Sequence, residues 1–199
     1  MNKPYAESCD QNRQPIGQQL ARFAANARTV LEIASGTGQH AVYFAEQFPH
    51  LCWQTSELAE NHAGIQAWIA DSGRDNVLPP LLLDVAGAWP QQQYDLLFSA
   101  NSLHIMSEQS AEMLMRRAPL CMHEQSFLLI YGPFNYRGQY TSASNERFDG
   151  WLKQRDAASG IKHFEWLNDI ASDAGLHCFD DVAMPANNRM LVFKKAGET

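Results

Sequence analysis

Apolar residues in this chain fall in short runs separated by turn residues, and the runs alternate between strand-like and helix-like spacing. Residues 30–33 (Val-Leu-Glu-Ile) are apolar except for one acid and read as a buried parallel strand. A small-residue turn, 34–38, opens into 39–48, where Ala41, Phe44, Ala45 and Phe48 keep helical spacing until Pro49 stops it. The alternation continues with a strand over 51–55, a helix through Ile65, Trp68 and Ile69 that stops at Gly73, and a strand over 77–83. A strand over 94–100, a helix capped by Ser107, and a strand over 127–131 follow. A long polar and aromatic connection, 132–145, leads to a helix around Phe148, Trp151 and Leu152, and then to a helix over 161–174.

The tail breaks this rhythm. Residues 177–183 and 189–194 read as strands joined by a five-residue turn, Met184-Pro185-Ala186-Asn187-Asn188. So short a connection makes them antiparallel neighbours, because a parallel return needs a crossover. The predicted fold class is α/β: a Rossmann-like, seven-stranded, mostly parallel sheet with a C-terminal antiparallel β-hairpin, in three α/β/α layers. Residues 1–199 are expected to form one domain, with the Rossmann-like core over 29–199. The segment 1–28 holds an amphipathic helix, 16–27, with Pro15 in its first turn. It reads either as a packing helix or as a cover that brings Tyr5, Asn12 and Arg13 near a ligand.

Composition narrows the partners. Of 199 residues 45% are apolar and 19% charged, and the formal net charge of -7 lacks the basic footprint of a nucleic-acid binder. The four cysteines (Cys9, Cys52, Cys121, Cys178) form no C-x-x-C pair, which suits reduced thiols rather than disulfides or structural zinc. No signal-like or membrane-length apolar run occurs, so a cytoplasmic protein with a small-molecule partner, as monomer or dimer, is expected. No metal-ligand spacing is present, and no metal is expected.

The glycine turn carries the chemistry. Gly36-Thr37-Gly38-Gln39-His40-Ala41 fits the dinucleotide fingerprint G-x-G-x-x-G/A, and Glu57 stands at about the twenty-residue offset of a ribose-binding acid. An NAD(P)-dependent oxidoreductase is therefore one reading. S-adenosylmethionine (SAM) enzymes use nearly the same turn. The terminal hairpin and the acid Glu32 just before the turn favour the second reading, because class I SAM-dependent methyltransferases end in a reversed strand. Their first motif is similar to Leu31-Glu32-Ile33-Ala34-Ser35-Gly36-Thr37-Gly38. No Tyr-x-x-x-Lys pair supports the oxidoreductase.

The resemblance extends further. The segments around Asn12-x-x-Pro15-Ile16, Asn101-Ser-Leu-His104-Ile105-Met106, Tyr131-Gly132-Pro133-Phe134-Asn135, Asn145-x-x-Phe148-Asp149-x-Trp151-Leu152 and Met184-Pro185-Ala186-Asn187-Asn188, together with the glycine turn, resemble the domain-of-unknown-function 938 family. These are methyltransferase-like proteins, and the likeness spans nearly the whole chain. Glu57 departs from an expected Asp.

On that resemblance the cofactor is SAM, with S-adenosylhomocysteine as product, and its site is expected at Glu32, Ala34, Gly36, Gly38, His40, Glu57, Leu58, Asp84, Val85, Asn101 and Leu103. Glu32 would answer a ligand ammonium or backbone donors. Glu57 would accept the ribose hydroxyls, and Asp84 the adenine amine. Each also has a plain reading as a cap or turn residue. His104, three residues past the fourth strand, is the candidate catalytic base, or else a packed, hydrogen-bonded histidine that steers its loop. The acceptor is expected against Asn12, Tyr131, Phe134, Asn135, Tyr140, Asn187 and Asn188, with 131–145 as a lid. The reaction expected is in-line methyl transfer to a small molecule; a SAM-binding protein without turnover is the remaining alternative.

Overall fold

A computed structural model describes residues 3–197. Strands β1 (Thr29–Glu32), β2 (Cys52–Glu57), β3 (Val77–Leu82), β4 (Tyr94–Ala100), β5 (Met122–Gly132), β6 (Leu176–Met184) and β7 (Asn188–Lys195) form one seven-stranded sheet. Its order is β3-β2-β1-β4-β5-β7-β6. Strands β1 to β5 pair in parallel, while β7 runs antiparallel to both β5 and β6. The strand direction reverses at the position expected from the short 184–188 turn.

Both faces of the sheet are buried over its central strands, so alternate residues of these strands are apolar toward each side. Leu96, Phe98, Leu129, Met190 and Val192 face one core, shared with Phe44 and Leu20. Leu97, Leu128, Ile130, Leu191 and Phe193 face the other, shared with Leu114 and Leu167. The helices supplying these layers are α1 (Glu7–Ala24), α2 (Gln39–Gln47), α3 (His62–Ser72), α4 (Glu108–Arg117) and α6 (Phe164–Asp173); α5 (Ala143–Arg155) lies beside the sheet's carboxyl end. Pro79 and Pro80 sit within β3, which lies at the sheet edge, so the amides they lack are not needed by a second neighbour.

Three expectations need correction. Helix α1 begins at Glu7, nine residues before Ile16, with Pro15 inside it. The bond that proline withholds belongs to the carbonyl four residues back, on the helix face of Ser8, Gln11, Asn12 and Pro15. That face borders an open cleft where water can serve the freed carbonyl. Strand β5 is longer than 127–131, starting at Met122 and carrying Gln125 at φ 66. The connection after β5 is no loose lid: Phe134 is in the core, Asn135 bridges His163, and Tyr136 forms a tight turn with Gln139. Among the described residues no helix is long and apolar enough to cross a membrane.

Candidate active site

The carboxyl ends of β1, β2, β3 and β4 meet around one cleft of about 650 Å³, the crevice position for a ligand in an open α/β sheet. Its wall includes Ala34, Gly36, His40, Glu57, Leu58, Asp84, Val85 and Asn101, eight of the residues expected there from sequence. The two glycines of the turn have different jobs. Gly36, at φ 57, faces the cleft, and a Cβ there would meet nothing within 4 Å. Gly38, at φ 86, lies behind the wall, where a Cβ would come within 3.1 Å of the Ile65 backbone. It therefore lets the start of α2 pack on α3 rather than admitting a ligand.

Glu57 ends β2 and ties the turn down. Its Oε2 accepts a hydrogen bond from the Gly36 amide at 2.9 Å, and its Oε1 accepts one from the Leu58 amide at 2.8 Å. Asp84 Oδ1 accepts from the Ala86 amide at 2.9 Å. Both carboxylates keep further lone pairs for ligand hydroxyl or amine donors. Asn101, at φ 57, stands at the end of β4, where its amide donates to the Tyr131 carbonyl.

Glu32 and Leu103 stand behind the cleft wall. The Glu32 carboxylate is buried, with Oε2 accepting from the Trp53 indole at 3.0 Å and the main-chain carbonyl accepting from the Ser56 hydroxyl at 2.7 Å. Burial pushes its carboxyl up to about 7, aided by the nearby charge of Glu57. Leu103 is part of the core.

Helix α1 closes the cleft from above, with Ala6, Ser8 and Cys9 on its wall. Two side chains at the start of α2 fasten it. The Gln39 side-chain oxygen accepts from the Ala6 amide at 2.6 Å, and His40 Nε2–H donates to Asn12 Oδ1 at 2.7 Å. Burial, with the Arg13 charge, pushes the His40 imidazolium down to about 4, so the ring is neutral. The Nε2–H tautomer leaves Nδ1 as acceptor toward the Cys9 thiol, 3.9 Å away and itself pushed up to about 11 by burial. Tyr5 and Arg13 do not line the cleft; both bind Asp10.

A second cleft, about 770 Å³, adjoins the first across Ser8, Asn101, Ile105 and Asp156. It brings together Asn12, His104, Tyr131, Asn187 and Asn188 from the sequence reading, with Phe148, Trp151 and Arg155 of α5. The His104 ring packs edge-on against Phe148 at 5.3 Å. Among the described residues neither of its nitrogens makes a hydrogen bond, so it is packed without the bonded partner expected of a loop-steering histidine. Burial, with the Lys162 ammonium, pushes its imidazolium down to about 4. Lys162 is itself buried, donating to the Met106 carbonyl at 2.7 Å and the Gly160 carbonyl at 2.8 Å.

Phe134, Asn135 and Tyr140 lie apart from this cleft. Phe134 is core, while Asn135 and Tyr140 line a separate depression near Lys162. The Tyr140 hydroxyl donates to Asp149 at 2.7 Å. Sequence reasoning missed Asp156, Trp151 and Ser8. The spacing of Ser8, Gln11, Asn12 and Pro15 was a usable helical signal; an acid just after a helix offers none.

The same arrangement of sheet and helices occurs in solved methyltransferase structures. An O-methyltransferase family protein from Burkholderia thailandensis superimposes with a TM-score of 0.83 at 18% identity, over 94% of this chain and 57% of that one. Human N-acetylserotonin methyltransferase, in complex with SAM, gives a TM-score of 0.80 at 13% identity, over 96% of this chain and 53% of that one. Mitomycin 7-O-methyltransferase gives 0.80 at 19% identity, over 92% and 54%. The chain thus spans a little over half the length of these proteins. The fold is that of class I methyltransferases. The family model of a protein of unknown function, DUF938, matches residues 3–195, and the chain belongs to that family.

Proposed function

We propose that this protein transfers a methyl group from SAM to a small-molecule acceptor. The observation that carries this reading is the pairing of two clefts across Asn101, one walled by the glycine turn and two strand-end carboxylates, the other by aromatic and amide side chains. Methyl transfer needs that layout, because donor and acceptor must meet in line with water kept out. The likeness to O-methyltransferases, one of them with SAM bound, supports it.

The residues fit the group. A cleft of about 650 Å³ has the size of a nucleoside-ligand site. Glu57 would take the ribose hydroxyls while its bond to Gly36 holds the turn open, and Asp84 would take the adenine amine. Bound SAM supplies a methyl on a sulfonium, already activated toward a nucleophile. Helix α1, fastened through Gln39 and His40, excludes water from above. Glu32, behind the wall, would act by fixing the strand before the turn rather than by touching the ligand.

Calorimetric titration with S-adenosylhomocysteine and, separately, NADH tests the reading. Binding of the first with no heat from the second is the expected result. NADH binding alone would overturn it.

A further inference from the structure

We infer that residues 3–14 form a lid over the cofactor cleft, hinged at Pro15, which swings aside to admit SAM and closes on it. This rests on the SAM reading above and adds how that site is entered and closed.

Helix α1 divides at Pro15. Beyond the proline, Ile16, Leu20 and Ala24 are buried in the core shared with Phe44 and Leu96. Before it, among the described residues, no side chain belongs to either core, and Asn12 is the one buried residue of the helix. Different forces therefore hold the two halves: apolar burial holds the second, and single polar bonds hold the first. Pro15 has no N–H for the Gln11 carbonyl, so the bond that would stiffen the helix between the halves is missing. A segment held in this way opens ahead of the rest of the fold.

Its latches lie on α2 and α3. The Gln39 side-chain oxygen accepts from the Ala6 amide at 2.6 Å, and His40 Nε2–H donates to Asn12 Oδ1 at 2.7 Å. Ahead of the helix, the Trp68 indole N–H donates to the Pro4 carbonyl at 2.6 Å. The Lys3 ammonium lies 3.9 Å from the centre of the Trp68 ring and pairs with Asp71. Pro4 rides on Gly64, where a Cβ would come within 2.6 Å of the proline ring. Water can take over each of these polar bonds when the segment lifts, and the segment takes no core side chain with it.

The same segment walls both clefts. Ala6, Ser8 and Cys9 face the cofactor cleft, while Ser8, Gln11 and Asn12 face the acceptor cleft. A nucleoside ligand covered by residues 6–9 enters and leaves most readily past a wall that moves. Once it is bound, its contacts with those residues add to the latches and hold the lid down. Closing the lid completes the acceptor wall, so cofactor binds before acceptor.

Amide exchange followed by NMR, with S-adenosylhomocysteine kinetics by surface plasmon resonance, tests the lid. In the free protein the amides of residues 11–14 should exchange about tenfold or more faster than those of residues 19–23. Saturating S-adenosylhomocysteine should slow the first group by about tenfold and leave the second unchanged. Gly64 lines neither cleft, so Gly64→Ala displaces Pro4 alone and should raise the dissociation rate of S-adenosylhomocysteine by about tenfold. Pro15→Ala returns an N–H donor to the Gln11 carbonyl and should slow both the exchange of residues 11–14 and the association of S-adenosylhomocysteine. Equal exchange on the two sides of Pro15, binding that leaves residues 11–14 unprotected, or an unchanged dissociation rate in Gly64→Ala would each overturn the lid while leaving the SAM site intact. No binding of S-adenosylhomocysteine at all would overturn the methyl-transfer reading, and the lid with it.

Discussion

Glu57 Oε2 accepts the Gly36 amide at 2.9 Å, so the carboxyl end of the second strand clasps the glycine turn that follows the first. The longer side chain matters here. Glutamate reaches across to Gly36 with one oxygen while the other accepts its own following amide. Both amides donate to the carboxylate, and Gly36, one of three left-handed residues between strand and helix, is held through its amide.

Glu57→Gln turns one of those carboxylate oxygens into an NH2 facing an N–H. Affinity for S-adenosylhomocysteine should fall by about tenfold to a hundredfold, in line with the loss of a charge-assisted bond. Calorimetry reads this directly, and unchanged affinity would move the ribose elsewhere.

The two glycines should separate stability from binding. Gly38→Ala meets the Ile65 backbone at 3.1 Å and is strained at φ 86, so thermal unfolding should show a loss of about 2 kcal/mol or more. Gly36→Ala meets nothing within 4 Å and should cost only the strain of φ 57, about 1 kcal/mol, with its larger effect on ligand affinity. A reversed order would show that Gly38, not Gly36, faces the ligand.

Asn12→Ala removes the acceptor of the His40 Nε2–H bond and strands a buried donor, at a cost of about 1–3 kcal/mol. The loosening should be local. Amides of residues 6–16 should exchange hydrogen faster while those of β4 and β5 do not, and ligand affinity should drop because the cover opens. Uniform exchange across the chain would count against α1 as a separately fastened cover.

Glu32 makes stability depend on pH in an unusual sense. Its folded value, near 7, lies above the unfolded 4.5, so between those pH values the folded chain binds more protons and stability falls as pH rises. Above pH 7 the full penalty of a buried charge is present. The buried histidines act oppositely: values near 4 against 6.5 mean stability falls as pH drops through that window. Glu32→Gln keeps an acceptor for the Trp53 indole and removes only the acid. It should be near neutral at pH 4.5 and stabilising by roughly 2–3 kcal/mol at pH 8 in denaturant unfolding. A variant less stable than the parent at pH 8 would show that the charge itself is needed.

The alternation of strands and helices was legible because each run of apolar residues keeps one period, and both sheet faces are buried. Glu57, Asp84 and Asn101 could be placed together for a related reason: in a parallel sheet all strand carboxyl ends point the same way, so residues far apart in sequence share one rim. The short 184–188 turn likewise fixed the reversal of β7 and put Asn187 and Asn188 at that rim.

What sequence left undecided lies where side-chain direction or long-range packing rules. Period alone marked 16–27 as a helix, but the start of α1 at Glu7 depends on Gln39 and His40 receiving it across the cleft. Phe134 and Tyr140 read as lid aromatics, yet one fills the core and the other turns to Asp149. The chain by itself determined the sheet, the hairpin and the crevice, because these follow from periodicity and from what short connections permit. Only the tertiary structure decided that Glu32 faces Trp53, that Gly38 serves packing, and that Asp156 reaches the junction of the two clefts, because each depends on which neighbour occupies the space beside it.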